Sequence, residues 1–298
     1  MRTNFINQLL EEAKNNDKIF LLVGDLGYHV VEPFKAMFPD RFLNVGIAEQ
    51  NMAGVAAGLA MTGYNVYIYS IGNFPTLRCL EQIRNDIAYH KANVKIVSVG
   101  AGYAYGALGA THQATEDIGA IRTIPNMIVA TPGDPVEAKA IASISANYDG
   151  PMYIRLGKAG EKIVHNNKIN LHIGDILPLK ENSNNTAVLC CGSILDIARQ
   201  QIENENLPYD LYSIPFVKPI NNSLLLNIIE SHPSGLIVME EHQASCGVGS
   251  AIIEQASDMY SQGILSNFPK IIRKAIKDEF VGVVGNQNYL RKITGLQL

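Results

Sequence analysis

Glu49 lies in Asn44-Val45-Gly46-Ile47-Ala48-Glu49-Gln50-Asn51-Met52, where a short apolar strand gives way to a helix rich in Ala and Gly. A carboxylate at that point either complements the positive end of the helix or serves chemistry that needs an acid–base group beside an apolar wall. His112, in Gly109-Ala110-Thr111-His112-Gln113, is the group titrating near neutrality in the Gly-rich loop over 100–109 and its sequel. Asp25, in Gly24-Asp25-Leu26-Gly27, follows the buried run 19–23. It stands at the strand's carboxyl end, where open α/β sheets present ligand groups, although a turn aspartate fits as well. Phe74, in Ile71-Gly72-Asn73-Phe74-Pro75, is either a core plug or a platform for an aromatic ligand. Arg78 falls in the first turn of a helix, where a cation gains nothing from the dipole. It is a candidate partner for an anion or a distant carboxylate, with a solvated surface role as the alternative. Arg155 and Lys158 flank the turn at Gly157 and could hold a phosphate or an acidic residue across an interface.

These residues need a scaffold, and the apolar pattern supplies one. Residues 5–13 have helical spacing, and 19–23, 42–45, 65–70, 94–99 and 152–155 read as strands of a parallel sheet covered on both faces, the last closing it. The small residues Ala53, Gly54, Ala56, Ala57, Gly58 and Ala60 after Glu49 suit the close approach of another backbone. Asp134-Pro135-Val136-Glu137 is a structural helix start, with Asp as N-cap, Pro at the first position and Glu at the capping-box position. From 161 to 185 the chain turns polar and reads as a linker, with a strand at 171–173. Strands at 186–190, 209–213, 236–239 and 271–274 then alternate with helices near 193–204, 221–231 and 247–261, and a short helix holds 289–292. The expected fold class is α/β, as two three-layer domains over 1–160 and 186–298.

The 298 residues, with 47% hydrophobic and 17% charged content, suffice for two ordinary cores. A net charge of −4 with no basic run argues against nucleic acid. No stretch reads as a signal core or a membrane span, so a soluble cytoplasmic protein is expected. Cys79, Cys190, Cys191 and Cys246 lack metal-ligand spacing and read as buried thiols. Glu240-Glu241-His242 lacks the helical spacing of a zinc site and reads as structural or as part of an interface. No metal site is expected in this chain.

With these residues in view, the chain resembles the carboxyl-terminal half of a transketolase, split off as its own subunit. The resemblance rests on six fragments in register: Gly24-Asp25-Leu26-Gly27, Phe38-Pro39-Asp40-Arg41-Phe42, Gly46-Ile47-Ala48-Glu49-Gln50-Asn51, Gly109-Ala110-Thr111-His112-Gln113, Ile124-Pro125-Asn126-Met127 and Thr131-Pro132-Gly133-Asp134. It extends into the tail through Ile237 to His242 and Cys246 to Ala251. It implies a pyrimidine-binding domain and a transketolase carboxyl-terminal domain that supports subunit contacts. The implied cofactor is thiamine diphosphate, its pyrimidine gripped by this chain. The Gly-Asp-Gly diphosphate motif of such enzymes is missing, since Gly24-Asp25-Leu26 has the wrong third residue. The resemblance therefore implies a partner, the N-terminal transketolase subunit, that holds the diphosphate and Mg²⁺ in an α2β2 heterotetramer.

By resemblance, Glu49 bonds the pyrimidine ring nitrogen and drives its amino group toward the imino tautomer, which takes the thiazolium C2 proton. Phe74 stacks on the pyrimidine, Asp25 lines the cofactor cleft, and Arg78 matches a helix arginine near it. His112 matches an active-site histidine that contacts the donor or the covalent adduct, and Lys158 matches a phosphate-binding arginine of deoxyxylulose phosphate synthases. Departures accompany these matches: Ala107 and Leu108 stand where transketolases carry Glu-Asp, Gly100 replaces a substrate-binding histidine, and Ala101 replaces an arginine of the synthases. The implied activity is transfer of a two-carbon ketol unit between sugars or sugar phosphates, with an acceptor other than the ordinary pentose phosphates, such as a modified or nucleotide-linked sugar. The alternatives are a 2-oxo acid dehydrogenase beta-type subunit, a deoxyxylulose phosphate synthase-like enzyme, and a non-catalytic scaffolding subunit.

Overall fold

The computed structural model describes residues 1–298. Its strands are β1 (Ile19–Val23), β2 (Phe42–Asn44), β3 (Asn65–Ile71), β4 (Val94–Val99), β5 (Ile128–Ala130), β6 (Met152–Leu156), β7 (Leu177–Lys180), β8 (Thr186–Cys191), β9 (Asp210–Ser213), β10 (Phe216–Lys218), β11 (Gly235–Gln243) and β12 (Ile271–Ile276). They form a seven-stranded sheet in the order β10-β5-β6-β4-β3-β1-β2 and a five-stranded sheet in the order β12-β11-β8-β9-β7. Both are α/β sheets, as the alternation of apolar runs with helical spacing leads one to expect. β3 and β4, near the middle of the first sheet, are buried almost throughout, which is why they carry no polar alternation.

Three features depart from the sequence reading. β6 does not close the first sheet: it lies between β4 and β5, and the edge is β10, an antiparallel strand contributed from beyond residue 186. The segment 161–185 is not a bare linker, because β7 within it pairs antiparallel with β9, and no strand forms at 171–173. Cys246 is exposed, whereas Cys79, Cys190 and Cys191 are buried as expected. A single apolar cluster runs from Leu22, Val66 and Ile96 through Ile118 and Ile121 to Leu189, Val238 and Val248, so the two sheets share a continuous core.

Asp134 caps its helix as its sequence context suggests, accepting from Val136 N at 2.9 Å and Glu137 N at 2.8 Å. Glu137, placed by sequence in a capping box, instead accepts from Gly133 N at 2.6 Å and meets His165 Nε2 at 2.7 Å. Asp134 Oδ2 also accepts from Val164 N and His165 N at 2.8 and 3.0 Å. Asp134, Glu137 and His165 have metal-like proximity. The Asp134 and Glu137 oxygens already hold N–H donors and Glu137 meets His165 Nε2, which leaves the cluster a hydrogen-bonded latch for the 164–165 segment. No helix is long and apolar enough to cross a membrane.

Candidate active site

The carboxyl ends of β1, β2 and β3 lie side by side, because β1 pairs in parallel with both neighbours. Whatever follows each strand therefore meets at one sheet edge. After β1 come Gly24 and Asp25, after β2 comes the turn to Glu49, and after β3 comes the loop that carries Phe74.

Asn44, the last residue of β2, stitches two of these turns together. Its amide oxygen accepts from Asp25 N and Gly46 N, each at 3.0 Å, and its Nδ2 donates to Asp25 Oδ1 at 3.0 Å. Asp25 adopts φ +52 and is exposed, its carboxylate tied to Asn44. Left-handed backbone at a non-glycine residue is uncommon outside Asn and Asp, and here the side-chain bond supports it. Sequence reading passes over Asn44; its signal is a polar residue ending an otherwise apolar strand.

Glu49 begins its helix at residues Glu49–Met61 and is 2% exposed. Its Oε2 accepts from Arg78 Nη1 at 2.7 Å, while that guanidinium is 44% exposed. Glu49 is thus an interior carboxylate reached by a cation from the surface, so Arg78 has a distant carboxylate as its partner while remaining partly solvated. The opposite oxygen faces the bare backbone of Gly24, where a Cβ would sit 3.7 Å from Oε1 and 3.4 Å from Ser70 Oγ. Ser70 Oγ is buried without a hydrogen-bond partner, as are Gln113 Nε2 and Asn73 Oδ1. Orphaned polar atoms cost free energy when buried, and Ser70 Oγ lies beside the same bare Gly24 backbone that Glu49 faces.

Phe74 is held by a tight loop. Gly72 O accepts from Thr76 Oγ1 at 2.9 Å and Ser98 Oγ at 3.1 Å, while Gly72 N donates to Val99 O at 2.8 Å. The ring is only half-buried, so it is no core plug. Arg78 lies 4.5 Å above its centroid, and the His112 ring meets it edge-on at 5.3 Å. Glu49, Arg78, Phe74 and His112 therefore form one row. The helical run after Thr76 is continuous in space but changes pitch, from a 3-10 turn at Leu77–Cys79 to a π segment at Ile83–Ala88, a distortion frequent at functional sites.

Arg155 does not join this row. It is 2% exposed, bonded through Nε to Asp117 at 2.8 Å and through Nη2 to the carbonyls of Ala114 and Glu241 at 2.6 and 3.0 Å. Burial alone would push the Asp117 carboxyl up, yet the Arg155 charge, His242 and the Tyr153 hydroxyl hold it below the usual carboxylate range. Its place at a strand end suggests substrate binding; its actual position between the two sheets makes Arg155 a structural cation. Lys158 remains exposed, 4.8 Å from the Tyr105 ring centroid. That ring fills the space beside Gly100, whose φ is +103 and whose Cβ, if present, would strike Tyr105 at 2.3 Å. A side chain at position 100 and this placement of Tyr105 exclude each other.

Glu240, Glu241 and His242 are structural, one of the two roles the sequence leaves open. Glu240 accepts from Val248 N and Gly249 N at the next helix start, Glu241 from Tyr103 N, and His242 Nε2 from Gly119 N. Burial raises Glu240 to about 7 and lowers His242, so both sit more neutral than usual.

Part of the surface around the helix that Glu49 begins is uncovered. Ile47, two residues before Glu49, is 79% exposed, and Gly54 and Gly58 present bare backbone with nothing within 4 Å of a built Cβ. An apolar side chain and two bare glycines in such positions suit a second protein surface.

Residues 1–160 match the family model described as transketolase, pyrimidine binding domain. The chain is 35% identical over 99% of its length to a putative transketolase C-terminal section of Methanocaldococcus jannaschii, covering 92% of that protein. It is 29% identical over 98% of its length to one of the subunits of an apulose-4-phosphate transketolase from Actinobacillus succinogenes, again covering 92% of it. Among solved structures it is similar, at 32% identity and a TM-score of 0.85, to one described as a split gene transketolase, inactive beta4 tetramer; the overlap covers 99% of this chain and 93% of that one.

Proposed function

Because the chain belongs to the transketolase family, we propose that it is the pyrimidine-binding subunit of a split transketolase, active with a separate subunit that holds the diphosphate and Mg²⁺ of thiamine diphosphate. The carrying observation is the buried carboxylate of Glu49, paired with Arg78 on one oxygen and open toward Gly24 on the other.

The residue types around Glu49 support binding of the pyrimidine half of thiamine diphosphate. Glu49 offers a carboxylate oxygen to a ring nitrogen, Phe74 offers a half-exposed aromatic face, and Ser70 Oγ is an unpaired polar group beside them. When bound, the cofactor supplies a carbon nucleophile that carries a two-carbon ketol unit between sugars. Glu49 holds a proton at the ring nitrogen, and Arg78 balances its charge. His112 moves a proton at a substrate oxygen, and Lys158 receives an anionic end of the sugar. Asp25 lines the mouth of the cleft from its Asn44 anchor. Residues for Mg²⁺ are not part of this arrangement: Asp25 Oδ1 is bonded to Asn44, the Asp134 and Glu137 oxygens are taken by backbone N–H donors, and Glu137 also meets His165 Nε2. That supports a partner carrying the metal, in an α2β2 assembly built against the uncovered surface at Ile47, Gly54 and Gly58.

The acceptor is proposed to differ from the ordinary pentose phosphates. Ala107 and Leu108 offer no hydroxyl-reading carboxylate, and Tyr105 occupies the space that a side chain at Gly100 would need. The relative named for apulose 4-phosphate illustrates that chains of this kind serve other sugars. The 2-oxo acid dehydrogenase, deoxyxylulose phosphate synthase and scaffolding readings are less favoured, the last because Glu49 and its pairing are retained.

The test is reconstitution with the diphosphate-binding subunit. Glu49→Gln is expected to abolish cofactor activation, followed as thiazolium C2 proton exchange, and undiminished exchange would remove the catalytic role. Ordinary turnover of xylulose 5-phosphate with ribose 5-phosphate would overturn the altered acceptor.

A further inference from the structure

The loop over residues 100–114 carries His112; its first part is bonded directly to Glu241 of the five-stranded sheet, and its far end is linked to the same residue through Arg155. Glu241, on β11, is 3% exposed. Its carboxylate accepts from Tyr103 N at 2.6 Å. Its main-chain carbonyl and that of Ala114 are bridged by Arg155 Nη2, at 3.0 and 2.6 Å. The loop is closed between these points, where Gly102 N donates to Ala114 O at 2.9 Å and Ala114 N to Gly102 O at 3.1 Å. Gly102 has φ +57 and lies so close that a Cβ would fall 2.5 Å from Glu241 Cγ. Glu241 is itself fixed from the last helix, by Arg291 Nε at 2.7 Å and Gln287 Nε2 at 3.0 Å. Gln243 N donates to Thr115 O at 2.8 Å one step further on. The Glu49–Arg78 pair is different, since both of its residues belong to elements around the seven-stranded sheet.

We infer that Glu241 is a positioning residue for ketol transfer, clamping the base of the 100–114 loop so that His112 is held against Phe74 and toward the reacting sugar. The inference rests on the reading that His112 serves that reaction. The physical basis is that Tyr103 and Tyr105 seat the first part of the loop in the cores, while the tip over 107–112 that carries His112 has little packing of its own, so its geometry follows from where the loop is anchored. A buried carboxylate with one backbone N–H and two side-chain donors is a stiff anchor. The carboxyl-terminal unit thereby acts on the site without touching substrate.

The test uses the full chain and its reconstituted complex. In Glu241→Ala, amide exchange over 102–114 is expected to rise about tenfold or more, with exchange over 71–80 unchanged. In the complex, kcat is expected to fall toward a hundredfold, the cost of misplacing a reacting group by about an ångström, while cofactor affinity and thiazolium C2 proton exchange stay at wild-type levels. Glu241→Gln keeps an acceptor for Tyr103 N and is expected to restore most of kcat. If Glu241→Ala does not fold, Gly102→Ala probes the same contact from the loop and is expected to reproduce both effects. Unchanged exchange over 102–114, or a kcat loss that Gln does not relieve, overturns the clamp. A wild-type complex that activates the cofactor but transfers no ketol unit overturns the role of His112 instead, and leaves the exchange result to decide the clamp separately.

Discussion

Arg78 reaches from the surface to within 2.7 Å of Glu49, joining a guanidinium that is 44% exposed to a carboxylate that is 2% exposed. The pairing is unequal: water screens the cation, but little else compensates the buried anion. Because Gln keeps a donor for Glu49 and the lost cation was already screened by water, Arg78→Gln is expected to leave the fold intact and to lower ketol transfer by about a hundredfold, comparable with removing a preorganised electrostatic group. Steady-state rates of the complex, set beside thermal melts of the chain alone, check this; equal rates would mean that Arg78 is only a surface residue.

Gly24→Ala probes the same cleft from the other side. Its Cβ would meet Ser70 Oγ at 3.4 Å and Glu49 Cγ at 3.6 Å, ordinary contacts that the folded chain tolerates. The methyl would nevertheless cover the strip beside Glu49 Oε1. Melting within about 2 °C of wild type, with cofactor binding weakened about tenfold or more, is the expected pair of results. Calorimetric titration of the reconstituted complex measures the second.

The two cations around Gly157 should behave oppositely. Arg155→Met strands Asp117 inside the protein and is expected to cost about 3–5 kcal/mol, the usual penalty for breaking a buried pair. Lys158→Ala should leave the urea midpoint unchanged and raise KM for a phosphorylated sugar. A stable Arg155→Met variant with raised KM would restore Arg155 to substrate binding.

The His165–Glu137 contact predicts a pH dependence of stability. Burial opposes the charged imidazole, but the Glu137 hydrogen bond and the charges of Glu137 and Asp134 prevail, raising its pKa above 6.5. The folded state thus binds the proton more tightly than the unfolded state. Its contribution is fully present below about pH 6.5 and is lost as pH rises through the raised folded value. Melts from pH 5 to 9 should show His165→Asn losing this component, at about 2–4 °C per kcal/mol. Parallel curves for the two proteins would exclude the latch.

Much of the site is legible in the sequence because it sits on local transitions. Glu49, Asp25 and Phe74 each follow a strong apolar strand, and parallel strands bring their carboxyl ends to one edge. Asn44 is not legible in this way because its work is to join two turns that are 19 residues apart. Arg155 misleads for a related reason: a cation after an apolar strand reads as a surface ligand group until Asp117 and Glu241 are folded against it. The polar segment 161–185 hides β7, whose pairing with β9 makes an edge strand that needs no continuous apolar run.

By itself, the sequence determined the α/β class, the strands whose ends carry Asp25, Glu49 and Phe74, and the family resemblance. These follow from apolar period and short motifs, which act over a few residues. Only the tertiary structure decided that Arg78 belongs to Glu49, that Arg155 is an interior strut, that β10 completes the first sheet, and that Glu241 grips the loop of His112. Each of these joins residues far apart in the chain, and the contacts exist only once the shared core has brought the two sheets together.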